Sequence, residues 1–144
     1  MFHVKIFITV SLAVVITLGL YEWYNIKRSE KYLAAAYISE GFQKSMVVKM
    51  YISQYFSEKD KLPSSNTELG IPEPASFKGN ALDSIEVTAN GIITLKYNKM
   101  SGVSNGVIYL VPDVSNSISG IAWQCSTPSF NNIESWAPQC KFVP

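Results

Sequence analysis

A chain of 144 residues has room for one modest domain plus an anchor or tail. Twelve Lys and Arg against eleven Asp and Glu leave a net charge of +1, and only 16% of the residues are charged. That balance gives no support for a nucleic-acid binder with a basic surface and fits a protein with part of its surface in lipid or in an assembly.

The first third is organised by hydropathy. Ile6 to Tyr21 (IFITVSLAVVITLGLY) is apolar and uncharged, and Tyr24 to Phe56 contains no proline and one glycine, Gly41. Together they predict a continuous helix of about 50 residues, roughly 75 Å at 1.5 Å per residue. The apolar run alone is about 16 residues, short of the ~20 that span a bilayer. Trp23, Tyr24 and Ile26 extend it, and the two aromatics suit the headgroup level of a membrane interface. Residues 1–24 are therefore read as a transmembrane half-helix. A cleaved signal peptide is the competing reading. No small-x-small site follows Tyr21, however, and the nearest small run, Ala34-Ala35-Ala36, comes after Lys27, Arg28, Glu30 and Lys31. Charge bias is at odds with an oxidised tail. Lys27, Arg28 and Lys31 after the run outnumber Lys5 and the α-amino group before it, which favours a cytoplasmic C-terminal part.

Residues 25–144 read as one globular domain. In the helix over 25–57, Tyr37, Ile38, Gly41, Phe42, Ser45, Val48, Ile52, Tyr55 and Phe56 share a stripe of roughly 140°, the natural seat for a sheet. Gly41 would let a neighbour approach closely, at about 1 kcal/mol of helix propensity. Met46, Val47, Met50 and Tyr51 lie off this stripe. They either complete a wide covered helix or form a surface for a partner helix. Pro63, Pro72 and Pro74 forbid helix, so 58–83 is a long connection.

Strand signals follow. Ser84 to Ala89 alternates, Asn90-Gly91 is the signature of a type I′ turn, and Ile92 to Asn98 returns. Gly106 to Val111 is a third strand closed by Pro112-Asp113, and Ile121 to Cys125 a fourth. Residues 84–125 thus form a four-stranded antiparallel meander with one face on the helix, an α+β fold. Residues 126–144, with Pro128, Asn131, Asn132 and Pro138, read as a loop.

Chemistry-bearing residues are few. Cys125 and Cys140, both in the last fifth of the chain, point to a disulfide closing about 15 residues, worth on the order of 3 kcal/mol; two free thiols in the cytosol are the alternative. The one histidine is His3, and Glu58, Asp60, Asp83 and Glu86 show no paired acid-base spacing. No metal-ligand spacing or phosphate loop occurs, so no catalytic residue, metal, cofactor or small-molecule substrate is predicted. Lys78, Lys96, Lys99 and Lys141 are the candidate contacts for DNA. They are thinly spread and diluted by Asp83 and Glu86, and DNA binding is not favoured over solvated surface lysines.

The order of these features resembles the type IV pilins, over nearly the whole chain. Trp23-Tyr24-Asn25-Ile26-Lys27-Arg28-Ser29 is similar to the family's segment just past the membrane. Gly120-Ile121-Ala122-Trp123-Gln124-Cys125-Ser126 is similar to its last strand, and Ser135-Trp136-Ala137-Pro138-Gln139-Cys140 to the end of its disulfide loop. The resemblance implies a Cys125–Cys140 bond, a periplasmic domain on an inner-membrane helix, and pilin subunits or pilus assembly machinery as partners. Trp123 is expected to be largely buried in a packing role. The start departs from the family: Met1-Phe2-His3-Val4-Lys5 shows no leader-peptidase glycine, and Lys5 is the nearest charge to the family's glutamate. The expectation is a pilin-like structural or accessory protein, membrane-anchored and not processed like a major pilin. The alternative is a surface-exposed filament subunit acting in adhesion or DNA binding.

Overall fold

The computed structural model describes the backbone of residues 2–115 and 120–144, and their side chains except those of 2–13 and 31. It divides into two compact units, Met1–Leu33 and Ala34–Pro144. Helix α1 (Phe2–Lys59) makes up the described part of the first unit and opens the second. It ends where Asp60 turns to a φ of 52° and donates its N–H to the Phe56 carbonyl at 2.9 Å, a left-handed cap.

In the first unit the large apolar side chains described, from Val14 to Leu33, are exposed. Among the described residues no helix is long and apolar enough to cross a membrane. Most of the anchor expected over 1–24 lies outside the described side chains, as do His3 and Lys5.

The second unit is a sheet of five described strands on the helix. Strands β1 (Leu82–Thr88), β2 (Ile92–Tyr97), β3 (Gly106–Asp113), β4 (Ala122–Thr127) and β5 (Cys140–Phe142) lie in that order. The first four pair antiparallel. The fifth corrects the four-strand meander and the plain loop expected over 126–144: β5 runs parallel to β4, with Cys125 opposite Cys140. Three residues carry too little alternation to be read as a strand in sequence. The tail is also held by a core of its own. Phe130 and Ile133 are buried, and the Phe130 ring meets Tyr97 edge-on at 5.7 Å between centroids.

The hairpin between β1 and β2 closes through Ala89-Asn90-Gly91, with Thr88 opposite Ile92. Asn90 and Gly91 both take positive φ, 61° and 68°, as the dipeptide implies, but inside a three-residue loop. Pro112 continues β3 rather than closing it. It lies beyond Leu110, the last β3 residue registered with β2, where a missing N–H leaves no gap in that ladder.

Helix and sheet meet where the stripe anticipates. Ile38, Gly41, Ser45, Val48 and Ile52 are buried, and Tyr37, Phe42, Tyr55 and Phe56 half-buried. The tightest point is Gly41. Tyr97, fully buried on β2, passes its ring over the glycine and donates its hydroxyl to the Ile38 carbonyl at 3.0 Å. A Cβ on Gly41 would lie 2.8 Å from the ring's Cζ and closer still to the hydroxyl. Burial, and then the nearby Glu40 carboxylate, push the Tyr97 phenol pKa well up, so the hydroxyl remains a donor.

The connection after α1 is stitched down at both ends. Lys44 Nζ donates to the Phe77 and Lys78 carbonyls at 3.1 and 2.9 Å, and Glu40 accepts from the Asn80 N–H at 3.1 Å. Asn66, 4% exposed, occupies the otherwise open edge of β1. Its Oδ1 accepts from the Val87 N–H at 2.7 Å, and its Nδ2 donates to the Ile85 and Pro72 carbonyls at 3.1 and 3.0 Å. One side-chain amide thereby imitates a neighbouring strand and shields the sheet from edge pairing.

Two substitutions test this account. Gly41→Ala should destabilise despite alanine's gain of about 1 kcal/mol in helix propensity, because the buried Tyr97 has no room to withdraw; a raised unfolding midpoint would contradict the contact. Asn66→Ala should cost about 1–3 kcal/mol by orphaning the buried Val87 N–H. Hydrogen exchange should show that amide losing protection, and unchanged protection would refute the edge-cap role.

Candidate functional site

At 100° per residue, the exposed side chains of α1 within 34–59 lie roughly opposite its buried stripe. Met46, Val47, Met50 and Tyr51 are exposed by 67, 49, 62 and 40%. Met46 and Met50 belong to a longer uncharged seam, with Val47 and Tyr51 beside it. Ala36, Ser39, Gln43, Met46, Met50 and Ser53 are all exposed and follow one another at intervals of three and four. That is the spacing with which one helix packs along another. Small side chains come first and the methionines later, so the seam offers close approach at one end and deformable apolar surface at the other.

The charges beside the seam are occupied. Lys44 is engaged by Glu40 at 3.6 Å as well as by the two carbonyls above. Lys49 sits 5.0 Å above the ring of Trp123 on β4, and desolvation lowers its pKa. Trp123 is thus half-buried against the helix side of the sheet, less covered than expected, with a cation as part of its cover.

At the C-terminal end of α1, Glu68 gathers four donors. It accepts from the Tyr55 hydroxyl, from Lys61 Nζ at 3.1 Å, and from both the N–H and the hydroxyl of Ser64 at 2.7 Å. These hydrogen bonds, Tyr55's foremost, hold its carboxyl pKa at about 2. The loop is thereby fixed to the helix at Tyr55. Glu68 carries no signal in the sequence, because its partners Tyr55, Lys61 and Ser64 stand 13, seven and four residues before it, with no recognisable spacing.

The other candidates are dispersed or differently placed. Cys125 and Cys140 are joined in a disulfide across β4 and β5, and both are buried. Trp23 and Tyr24 lie in the first unit, 61 and 58% exposed. Lys78, Lys96, Lys99 and Lys141 are exposed but belong to a loop, β2, a turn and β5 respectively. Lys96 and Lys141 are three strands apart, about 14 Å. Lys96 is already paired with Glu86 at 2.6 Å. Among the described residues no three His, Cys, Asp or Glu are grouped to hold a metal ion.

Residues 34–144 match the family model of pilin, a bacterial filament protein. The chain is also similar to a fimbrial protein, EcpC, of Eikenella corrodens. The two are 30% identical over 130 residues, covering 85% of this chain and 82% of that protein.

The Glu68 cluster has a pH signature. Its folded pKa is depressed, so its contribution to stability is complete above the ordinary carboxylate range and is lost as pH falls towards about 2. In an NMR titration the Glu68 carboxyl should have a midpoint near 2, and Glu68→Gln should remove this part of the acid dependence of unfolding. A midpoint above 4 would show that the donors do not hold the carboxylate.

Proposed function

The chain belongs to the pilin family of bacterial filament proteins, and from that membership we propose that it serves a type IV pilus as a membrane-anchored structural or accessory subunit. The observation that carries this reading is the two-sidedness of α1 within residues 34–59. One side is committed to the sheet, and the other is an uncharged seam whose side chains stay exposed among the described residues. Burying that seam against the helix of another pilin subunit removes Met46, Val47, Met50 and Tyr51 from water, at about 25 cal/mol per Å2 of apolar area.

Anchoring in the inner membrane by residues 1–24 is supported by the uncharged run Ile6–Tyr21 and by Trp23 and Tyr24 at its end. A periplasmic domain is supported by the buried Cys125–Cys140 disulfide, which belongs to an oxidising compartment. The accessory role draws on charge. The family resemblance calls for an early glutamate to meet a neighbour's amino group, whereas Lys5 would repel it. A DNA-binding role has less support, since the exposed lysines are separated and Lys96 is neutralised by Glu86.

The test is association in cells. Met46→Asp combined with Met50→Asp should leave the melting temperature of the chain nearly unchanged, because both residues are more than 60% exposed. It should abolish cross-linking to other pilin subunits in membrane and sheared-filament fractions. Undiminished cross-linking by a folded variant would overturn the seam as the assembly surface. Recovery of the wild-type chain mainly in membranes would favour the accessory role, and in filaments the structural one.

A further inference from the structure

Within the first unit, the stretch just past the apolar run sorts its side chains by chemistry. At about 100° per residue, Trp23, Tyr24, Lys27 and Arg28 fall on one half of α1, with Tyr21 and Tyr32 towards the border. Glu22 falls on the other half, and Glu30 lies at the opposite border, beside Trp23 and Lys27. The aromatics Tyr21, Trp23, Tyr24 and Tyr32 are exposed by 58–64%. Lys27 is 60% exposed and paired with Glu30, itself 63% exposed, at 3.6 Å, a solvent-exposed pair of the kind that is worth little. Arg28 lies 5.6 Å from the centroid of the Tyr32 ring and donates to its hydroxyl at 3.5 Å. In sequence, Lys31 adds a third cation one turn on.

We infer that this aromatic and cationic half-face binds the headgroups of anionic phospholipids at the membrane surface. The inference rests on the membrane-anchored reading above and adds the ligand class. Depth agrees with it. Lys27 and Arg28 are six and seven residues past Tyr21, about 9–10 Å along the helix, while the headgroup layer beyond the hydrocarbon is about 5–8 Å thick on each side. Long cationic side chains reach back into that layer, where phosphates are the available anions. Tyr and Trp rings place their polar atoms at the same level. Charge agrees as well. Cations on this side of the run oppose a periplasmic domain by the positive-inside count, so their presence there calls for a role that repays that cost. Neutralisation by lipid phosphate supplies one.

The experiment uses the full chain in nanodiscs of equal phosphatidylglycerol and phosphatidylcholine, with the lipids retained on release counted by native mass spectrometry. The wild type should retain phosphatidylglycerol preferentially. The Lys27→Gln/Arg28→Gln variant should lose that preference by about 25-fold, given roughly fivefold for each of the two cations at a membrane surface. The charge-conserving Lys27→Arg/Arg28→Lys variant should keep it. Equal retention of both lipids by a wild-type chain that enters nanodiscs would overturn the headgroup site, leave the anchor standing and assign the cations to an acidic protein partner. A wild-type chain that enters no nanodisc, even of phosphatidylcholine alone, would overturn the anchor itself and the headgroup site with it.

Discussion

The hydroxyl of Tyr97, donated to the carbonyl of Ile38 over the bare backbone of Gly41, sets the distance between helix and sheet. A glycine in mid-helix is unfavourable by itself, and a tyrosine buried to its oxygen needs an acceptor. Each requirement answers the other. The missing Cβ lets the ring in, and the helix supplies a carbonyl that can accept a second hydrogen bond. With β2 fixed at that distance, Ile93 and Leu95 fall onto the stripe formed by Ile38, Val48 and Ile52, and all five are buried. Phe130 then rests its ring edge-on against the same tyrosine, so the C-terminal segment depends on this contact too.

Around that contact the domain is closed by polar side chains standing in for regular structure. Asn66 completes the edge of β1, and Glu68 fastens the loop to α1 beside Tyr55. At the other end of the connection, Lys44 and Glu40 fasten the chain ahead of β1 to the helix. The opposite edge of the sheet is covered by β5, a three-residue strand joined covalently to β4. One edge is thus capped by an amide and the other ends in a strand of only three residues, and uncovered apolar surface is left along the helix. A filament protein benefits from this division, since exposed strand edges would pair without control while a helix seam can pack in register.

The charge distribution follows the same division. Four cations of this domain are engaged: Lys96 by Glu86, Lys61 by Glu68, Lys44 by Glu40 and two carbonyls, and Lys49 by the ring of Trp123. The uncharged stretch Met46–Val47 and Met50–Tyr51 runs between them, so a neighbouring helix would bury little charge on docking there.

The helix, its buried stripe and the order of the strands were legible in the sequence because each follows from a local period: 3.6 residues for Ile38 to Ile52, and two for the strands on either side of Asn90-Gly91. The exposed set Met46, Val47, Met50 and Tyr51 could be located by the same period, but not given its environment. Whether an apolar residue off the main stripe is covered depends on how far the sheet wraps round the helix, and no local pattern encodes that. The partners of Glu68 and Asn66, the parallel pairing of β5 and the cation over Trp123 were beyond reach for a related reason. Each joins residues whose spacing in the chain follows no rule. Sequence by itself determined the helix, the first four strands and which side of the helix seeks cover; only the tertiary structure decided that the tail forms a fifth strand and which side chains meet across the loops, because those meetings are set by the closure of the whole domain.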